Sequence, residues 1–271
     1  MMSLVESRSE FRFSPEALED HFAVLSEKVF QTATKWPHFE LLLKDVRHLA
    51  AQTPGGARVV SMERGLLYGG CSLIAPFFQD HDFVSLDCSP ASADDRGAYN
   101  SVMVEDPRFL FVPTTHRGDI DRTGLETAGA DLVLVPNLVH HVADQASLFA
   151  EFARLVKPGG KVYVFEPLLR ELHQIPDDYL RWTPFGMARA LENAGLQPAP
   201  PALTGGPFEA IAYCWAQALE YLPDDKRAEM SAWFYDTHMS ELMAWGAICD
   251  ENKVRSHTAF PVAFSILAEK M

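Results

Sequence analysis

Cysteine is scarce in this chain. Only four occur in 271 residues (Cys71, Cys88, Cys214 and Cys249), and no two form a CxxC pair. That spacing argues against a zinc ribbon or a disulfide frame, and free thiols suit a reducing compartment. Positive charge is scarce too: 23 Lys and Arg stand against 37 Asp and Glu, a formal net charge of −14. Without a basic run or interleaved aromatics a polynucleotide partner is disfavoured, because phosphate neutralisation needs clustered cations. No apolar stretch reaches the ~20 residues that cross a bilayer. The opening MMSLVESRSEF lacks the basic-then-apolar pattern of a secretory signal. These absences lead to the expectation of a cytoplasmic protein with a small-molecule ligand, and with neither nucleic acid nor membrane as partner. Internal repeats and low-complexity linkers are also missing. What remains, 48% apolar and 22% charged residues, is the composition of a globular protein long enough for one large core with an appended subdomain.

The clearest pattern runs over residues 131–167, ADLVLVPNLVHHVADQASLFAEFARLVKPGGKVYVFEP. An apolar run meets a turn at Pro136-Asn137, an amphipathic helix follows His140-His141, and Lys157-Pro158-Gly159-Gly160 stops it before a second apolar run. Strand, helix, strand with parallel strands is the expected βαβ unit. Upstream, 58–63, 82–87 and 109–113 read as the first three strands, with a helix from Gly65 to Phe78 after the first. The fourth and fifth strands are 131–136 and 161–166. Ser14-Pro15-Glu16 is a helix start, with Ser as cap and Pro at the first helical position. Pro37 is expected to open a second helix, which Thr53-Pro54-Gly55-Gly56 ends. Trp182-Thr183-Pro184 leads into a helix from Phe185 to Ala194. Residues 206–250 are rich in aromatics at helical spacing and predict two helices, roughly 208–222 and 225–248. Residues 259–270 read as the last strand. The expected fold is α/β: a doubly wound, mostly parallel sheet of these six strands, made seven-stranded by one after Gly195 that a family resemblance implies. Its parts are N-terminal helices (1–54), a Rossmann-like core (55–205), a helical insertion (206–250) and a last strand completing the core (251–271).

The wording of 131–167 resembles the second half of a class I S-adenosylmethionine (SAM) dependent methyltransferase, where "DLV…N..HHV…F.RLLKPGG" runs from the fourth to the fifth strand. Other segments join it in order. Glu63-Arg64-Gly65-Leu66-Leu67-Tyr68-Gly69 is similar to the family's acid-and-glycine turn, with Leu67 in place of the middle glycine. Such a turn lets the backbone approach the ligand and opens a helix whose free N–H groups face it. A side chain at Leu67 would crowd the methionine part of the cofactor or redirect the loop. Asp87 ends the second strand, 24 positions after Glu63, where dinucleotide folds place a ribose-binding carboxylate. Cys88-Ser89-Pro90 resembles the family's "D.SP", and Gly118-Asp119 its "GD". The resemblance covers roughly 55–200 and returns at 259–270. It implies SAM as cofactor, held by Glu63, Gly65, Gly69, Asp87, Cys88, Asp119 and Asn137.

Methyl transfer from a sulfonium requires alignment and exclusion of water, and a base only where the acceptor must lose a proton. His140 is the expected base or orienting group, with Glu166 as its partner or as a substrate ligand; a cap or packing role is the alternative for His140, and an ordinary surface acid for Glu166. Neighbours on a helix diverge by about 100°, so one histidine of the pair should face the cleft and the other pack outward. His173, Tyr179 and Trp182 on the loop after the fifth strand, and Trp233, Tyr235 and Trp245 in the insertion, are candidates for the acceptor pocket; for the aromatics, a core role is the alternative. The remaining histidines show no metal spacing, and no metal is expected. A SAM-dependent methyltransferase acting on a small molecule, at oxygen before nitrogen or carbon, is the leading expectation. A methyltransferase-like binding or scaffold subunit, and an enzyme that uses SAM non-reactively, compete with it. The insertion is expected either to cap the acceptor pocket or to pair the chain as a homodimer.

Overall fold

The computed structural model describes residues 11–30, 38–64, 70–88, 106–252 and 260–271. The Ser14 side chain caps α1 (Pro15–Val24) by accepting from the Ala17 N–H at 3.2 Å, and a π-helical turn, Leu25–Val29, continues it. In α2 (His38–Gln52), Phe39, Leu42, Leu43, Val46 and Leu49 are buried at helical spacing, as an amphipathic helix requires. Then come β1 (Arg58–Glu63), β2 (Cys71–Ser72), β3 (Asp82–Asp87), β4 (Val112–Pro113), β5 (His116–Arg117), β6 (Ala130–Pro136), α3 (Gln145–Leu155), β7 (Val156–Pro167), α4 (Pro184–Asn193), β8 (Leu196–Pro198) and β9 (Ala202–Thr204). The insertion forms α5 (Pro207–Leu219), α6 (Asp224–Ala232), a π-helical turn (Trp233–His238) and α7 (Met239–Asn252), and β10 (Ala263–Lys270) closes the chain.

The main sheet runs β5-β3-β1-β6-β7-β10-β8, with β9 paired to β10 off this path. The first five of these strands are parallel, and β10 lies antiparallel to both β7 and β8. This is the expected doubly wound sheet with an inverted last strand. From β1 the chain winds outward to β3 and β5, then returns to place β6 on the other side of β1. The carboxyl ends of β1 and β6 therefore flank a topological switch point, where open α/β sheets bind ligands.

Alternate strand residues feed two cores. Val60, Met62, Val133, Val135, Val162 and Val164 face α3 and α4 through Phe152, Leu148, Met187 and Leu191. Val59, Leu132, Leu134, Tyr163 and Phe165 face the other way, onto α2 and Phe78. The alternation is the period-2 signature of strands buried on both faces.

Several expectations need correction. The third parallel strand is His116–Arg117, not 109–113; Val112–Pro113 pairs instead with Cys71–Ser72 in a separate two-stranded sheet. Pro113 has no N–H to give a ladder, which suits it to a short edge. Gly65 to Phe78 is not one helix: Cys71–Ser72 is extended, and Pro76 sits in a 3-10 turn, Ala75–Phe78. Residues 225–248 are two helices joined by a π-helical turn. His140 and His141 do not open a helix but lie in a 3-10 turn, Val139–His141, before α3. Pro37, Gly65, Leu67, Gly69 and His257 lie outside the described residues.

Candidate active site

Glu63 and Asp87 are register partners at the carboxyl ends of β1 and β3, and both carboxylates are buried. Glu63 Oε1 accepts from Ser72 Oγ at 2.8 Å. Cys88 follows, and burial, then the charges of Asp87 and Glu63, push its thiol far above its ordinary range. Asp119 adds to that field, so three acids converge on one corner of the sheet edge. A hollow of about 310 Å³ opens there, lined by Cys88, Asp119, Ile120 and Leu138. Across the switch point lies a cavity of about 140 Å³ whose floor includes Glu63, Pro136 and Asn137, and whose walls include Phe30, Phe39 and Leu42 from the N-terminal helical segment. Arg64 and His141 line both spaces. Asn137 is held at φ 58°, in the left-handed region that asparagine tolerates better than most residues. Its N–H donates to the Phe165 carbonyl at 2.8 Å, and its buried Oδ1 has no hydrogen-bond partner among the described residues.

On the β7 side Arg170, His173 and Gln174 close the cavity. Glu166, the penultimate residue of β7, is almost fully buried. Its Oε1 accepts from the Leu138 and Val139 N–H groups at 2.8 and 2.6 Å, and its Oε2 meets His140 Nδ1 at 2.7 Å. His140 is completely buried, and its Nε2 lies 3.3 Å from His173 Nε2. Of the pair, His141 lines the cavity and His140 is buried behind it. His141 Nδ1 meets the Asp177 carbonyl. His173 Nδ1 meets the Glu171 carbonyl at 3.1 Å, and its backbone N–H donates to Asp178 at 3.0 Å. Burial, then the neighbouring charge of His140, lowers His141 to about 2. Burial, then Arg170, lowers His173 to about 3. Both are neutral at physiological pH. One ring nitrogen from each of His140, His141 and His173 lies within 4.8 Å of the other two.

The remaining candidates are dispersed. Tyr179 borders the hollow near Asp119, and its N–H donates to the His140 carbonyl at 3.0 Å. Trp182 packs edge-on against Phe149, and its Nε1 donates to Gln145 at 3.1 Å, so it serves the core. Trp233 packs at a tilt against Trp215, Tyr235 edge-on against Phe234 and Trp245 edge-on against Phe208, and none of the three lines the cavity. The insertion reaches the site through Tyr213 instead, which touches the His38 ring and donates to Glu171 at 2.6 Å. Arg64 and Arg170 were not singled out by sequence reasoning. Arg64 sits inside the acid-and-glycine turn, which was the available signal; Arg170 follows β7 with none.

Residues 69–164 match the family model described as a methyltransferase domain. A dimethylglycine N-methyltransferase from Parasynechococcus marenigrum is 29% identical over 127 residues, which is 44% of this chain and 41% of that protein. The chain thus spans less than half the length of this curated relative. Among solved structures, the [4+2]-cyclase SpnF superposes with a TM-score of 0.50 at 16% identity, over 88% of this chain and 83% of that one. A Haemonchus contortus phosphoethanolamine N-methyltransferase 2 in complex with SAM gives 0.49 at 14%, over all of this chain and 60% of that one. Fold, strand-end acids and family match agree: over residues 69–164 the chain is similar to a methyltransferase domain, and its doubly wound sheet is of the class I methyltransferase type.

Proposed function

We propose that this protein transfers a methyl group from SAM to an oxygen of a small acceptor held in the cavity between β1, β6 and the N-terminal helices. The observation that carries the reading is the acid-lined sheet edge. Glu63 lines the cleft, Asp119 lines the hollow beside it, and Asp87 is the buried register partner of Glu63; SAM brings ribose hydroxyls, a ring amine, an ammonium and a sulfonium, all suited to carboxylate partners. In the same reading Asp87 holds the ribose and Asp119 meets the adenine side. Asn137, whose buried oxygen needs a donor, faces the methionine part together with Glu63, and Arg64 suits the methionine carboxylate.

Bound SAM supplies an electrophilic methyl on a sulfonium whose sulfur leaves as a neutral thioether. The chain's residues hold the acceptor in line and keep water away. Phe30, Phe39 and Leu42 provide the dry wall. Glu166 and His140 position His173 against the cavity, and Arg170 fits an acceptor that carries negative charge. A second reading, transfer to nitrogen, draws on the relative that is a dimethylglycine N-methyltransferase. A homodimer through the exposed aromatics of the insertion belongs to the proposal as well, and sedimentation tests it.

Mass spectrometry of the purified protein, followed by calorimetry with added SAM, is the primary test. Bound SAM or its demethylated product, or micromolar SAM binding, is expected. A folded protein that neither carries nor binds SAM would sink the proposal in favour of a scaffold role. Turnover of a panel of phenols and hydroxy acids against secondary and tertiary amino acids then separates oxygen from nitrogen.

A further inference from the structure

The histidine cluster has a feature that methyl transfer does not require. Each of its three Nδ1 atoms meets a group that only accepts: the Glu166 carboxylate for His140, the Asp177 carbonyl for His141 and the Glu171 carbonyl for His173. The other Glu166 oxygen takes two backbone N–H groups, an arrangement that suits a carboxylate accepting from His140 Nδ1 as well. Each Nδ1 is therefore placed to donate, which leaves Nε2 as the ligand atom of each ring. Two of those nitrogens, on His140 and His173, stand 3.3 Å apart in partly buried surroundings. A contact of this kind is held by a proton on one ring or by a metal ion shared between the two.

We propose that His140, His141 and His173 bind one divalent metal ion of the zinc type through their Nε2 atoms, with an open position toward the cavity. Tetrahedral bonds of about 2.0–2.1 Å separate two ligand nitrogens by about 3.4 Å, close to the His140–His173 spacing. One ring nitrogen of each histidine already lies within 4.8 Å of the other two, so a side-chain adjustment brings His141 into the set. Glu166 holding the far nitrogen of a fully buried ligand is the carboxylate–histidine–metal arrangement that fixes the tautomer and raises ligand basicity. Three imidazoles select zinc, cobalt, iron or nickel over magnesium and calcium, which prefer oxygen. His141 and His173 line the cavity while His140 is sealed behind them, so the open side faces the acceptor space. There the ion takes water or, if the functional reading above holds, the acceptor oxygen.

The test uses full-length, tag-free protein stripped with chelator, then titrated with Zn2+ and with Co2+. One equivalent of either ion should bind. The Co2+ form should show visible ligand-field bands of a four-coordinate site, and azide should shift them by entering the open position. His173→Ala and His141→Ala, checked for folding by circular dichroism, should each lower affinity by about 100-fold or more, and Glu166→Gln by about 10- to 100-fold. In case the variants do not fold, the wild-type Co2+ protein supplies a second measure: its hyperfine-shifted, exchangeable ring N–H resonances should number three. No stoichiometric binding, retention of full affinity by the folded His173→Ala variant, or fewer than three shifted resonances would each overturn the site, and bands indifferent to azide would overturn its open position. None of these readouts involves SAM. Metal binding without SAM binding would refute only the functional proposal, and SAM binding without metal only this one.

Discussion

Asp87 is the residue whose role is simplest to measure. Its carboxylate is buried at the end of β3, level with Glu63 on β1. Deleting a charge-assisted hydrogen bond costs about 1.5–3 kcal/mol, or about ten- to a hundredfold in affinity. Asp87→Ala should therefore weaken SAM binding by that factor in calorimetry while the protein stays folded; equal affinity in the two proteins would remove Asp87 from the cofactor site. His38 makes a second prediction at this scale. It is 1% exposed and its ring sits against Phe39 and Tyr213. Burial, then the charge of Arg170, lowers it to about 3. The unfolded chain takes up this proton near the ordinary histidine value of about 6.5, and the folded chain does not. Stability is thus undiminished above that value and falls as pH drops from about 6.5 toward about 3, by up to about 1.4 kcal/mol per unit for this group. His21, His141 and His173 are lowered too and act with the same sign. Urea unfolding across that window should show a shallower slope for His38→Gln; an unchanged slope would mean that His38 is protonated in the fold.

Among the elements, those that bury both faces were legible and those at the edges were not. The runs at 58–63, 82–87, 131–136 and 161–166 carry strong apolar signals because each strand meets a helix layer on either side. The stop at Lys157-Pro158-Gly159-Gly160 was legible for a backbone reason. Gly159 has φ 76°, and a Cβ on Gly160 would come within 2.7 Å of Val156 Cγ2 and 3.0 Å of the Asp131 carbonyl. Gly160→Ala should cost about 1–3 kcal/mol in denaturant unfolding, as overpacking of a closed site does; a neutral result would mean that this turn relaxes freely. The two-residue edge strand His116–Arg117 has too little buried surface to mark itself in the sequence, while in FLFVP only Val112–Pro113 is extended, in the small separate sheet, and Phe109 to Phe111 serve a loop. The histidine cluster was illegible for another reason. It joins a 3-10 turn to a loop 33 residues away, so no local spacing records it. Glu166, His140 and His173 were each marked singly by their place at the strand edge or on the loop after it, but the convergence of ring nitrogens appears only in the fold.

For the molecule as a whole, the question is how the insertion communicates with the site. Its aromatics mostly satisfy one another, Trp215 with Trp233 and Phe234, and Phe208 with Trp245, so its helices form a satellite core beside the sheet. The link to the cavity is narrow. The Tyr213 hydroxyl donates to Glu171, and the Glu171 carbonyl in turn meets His173 Nδ1. The same loop is pinned from the other side by Arg181, whose Nη2 donates to the Glu171 carbonyl at 3.1 Å and to Asp178 at 2.8 Å. Tyr213→Phe keeps the ring packed on His38 and deletes only the hydroxyl. Because the Glu171 side chain is 25% exposed and recovers water, the cost to global stability should be small, about 1 kcal/mol. The loop should respond more than the fold. Amide exchange over residues 168–181 is expected to accelerate in the variant, with exchange in β1, β6 and β7 unchanged, since local openings draw on local contacts. SAM affinity should also be unchanged, because Asp87 and Asp119 lie at the opposite end of the strand edge. Unaltered exchange in 168–181 would mean that Arg181 alone holds the loop and that the insertion does not shape the site. Faster exchange there with weaker SAM binding would mean that the loop's order extends to the cofactor side, through His141 and the Asp177 carbonyl.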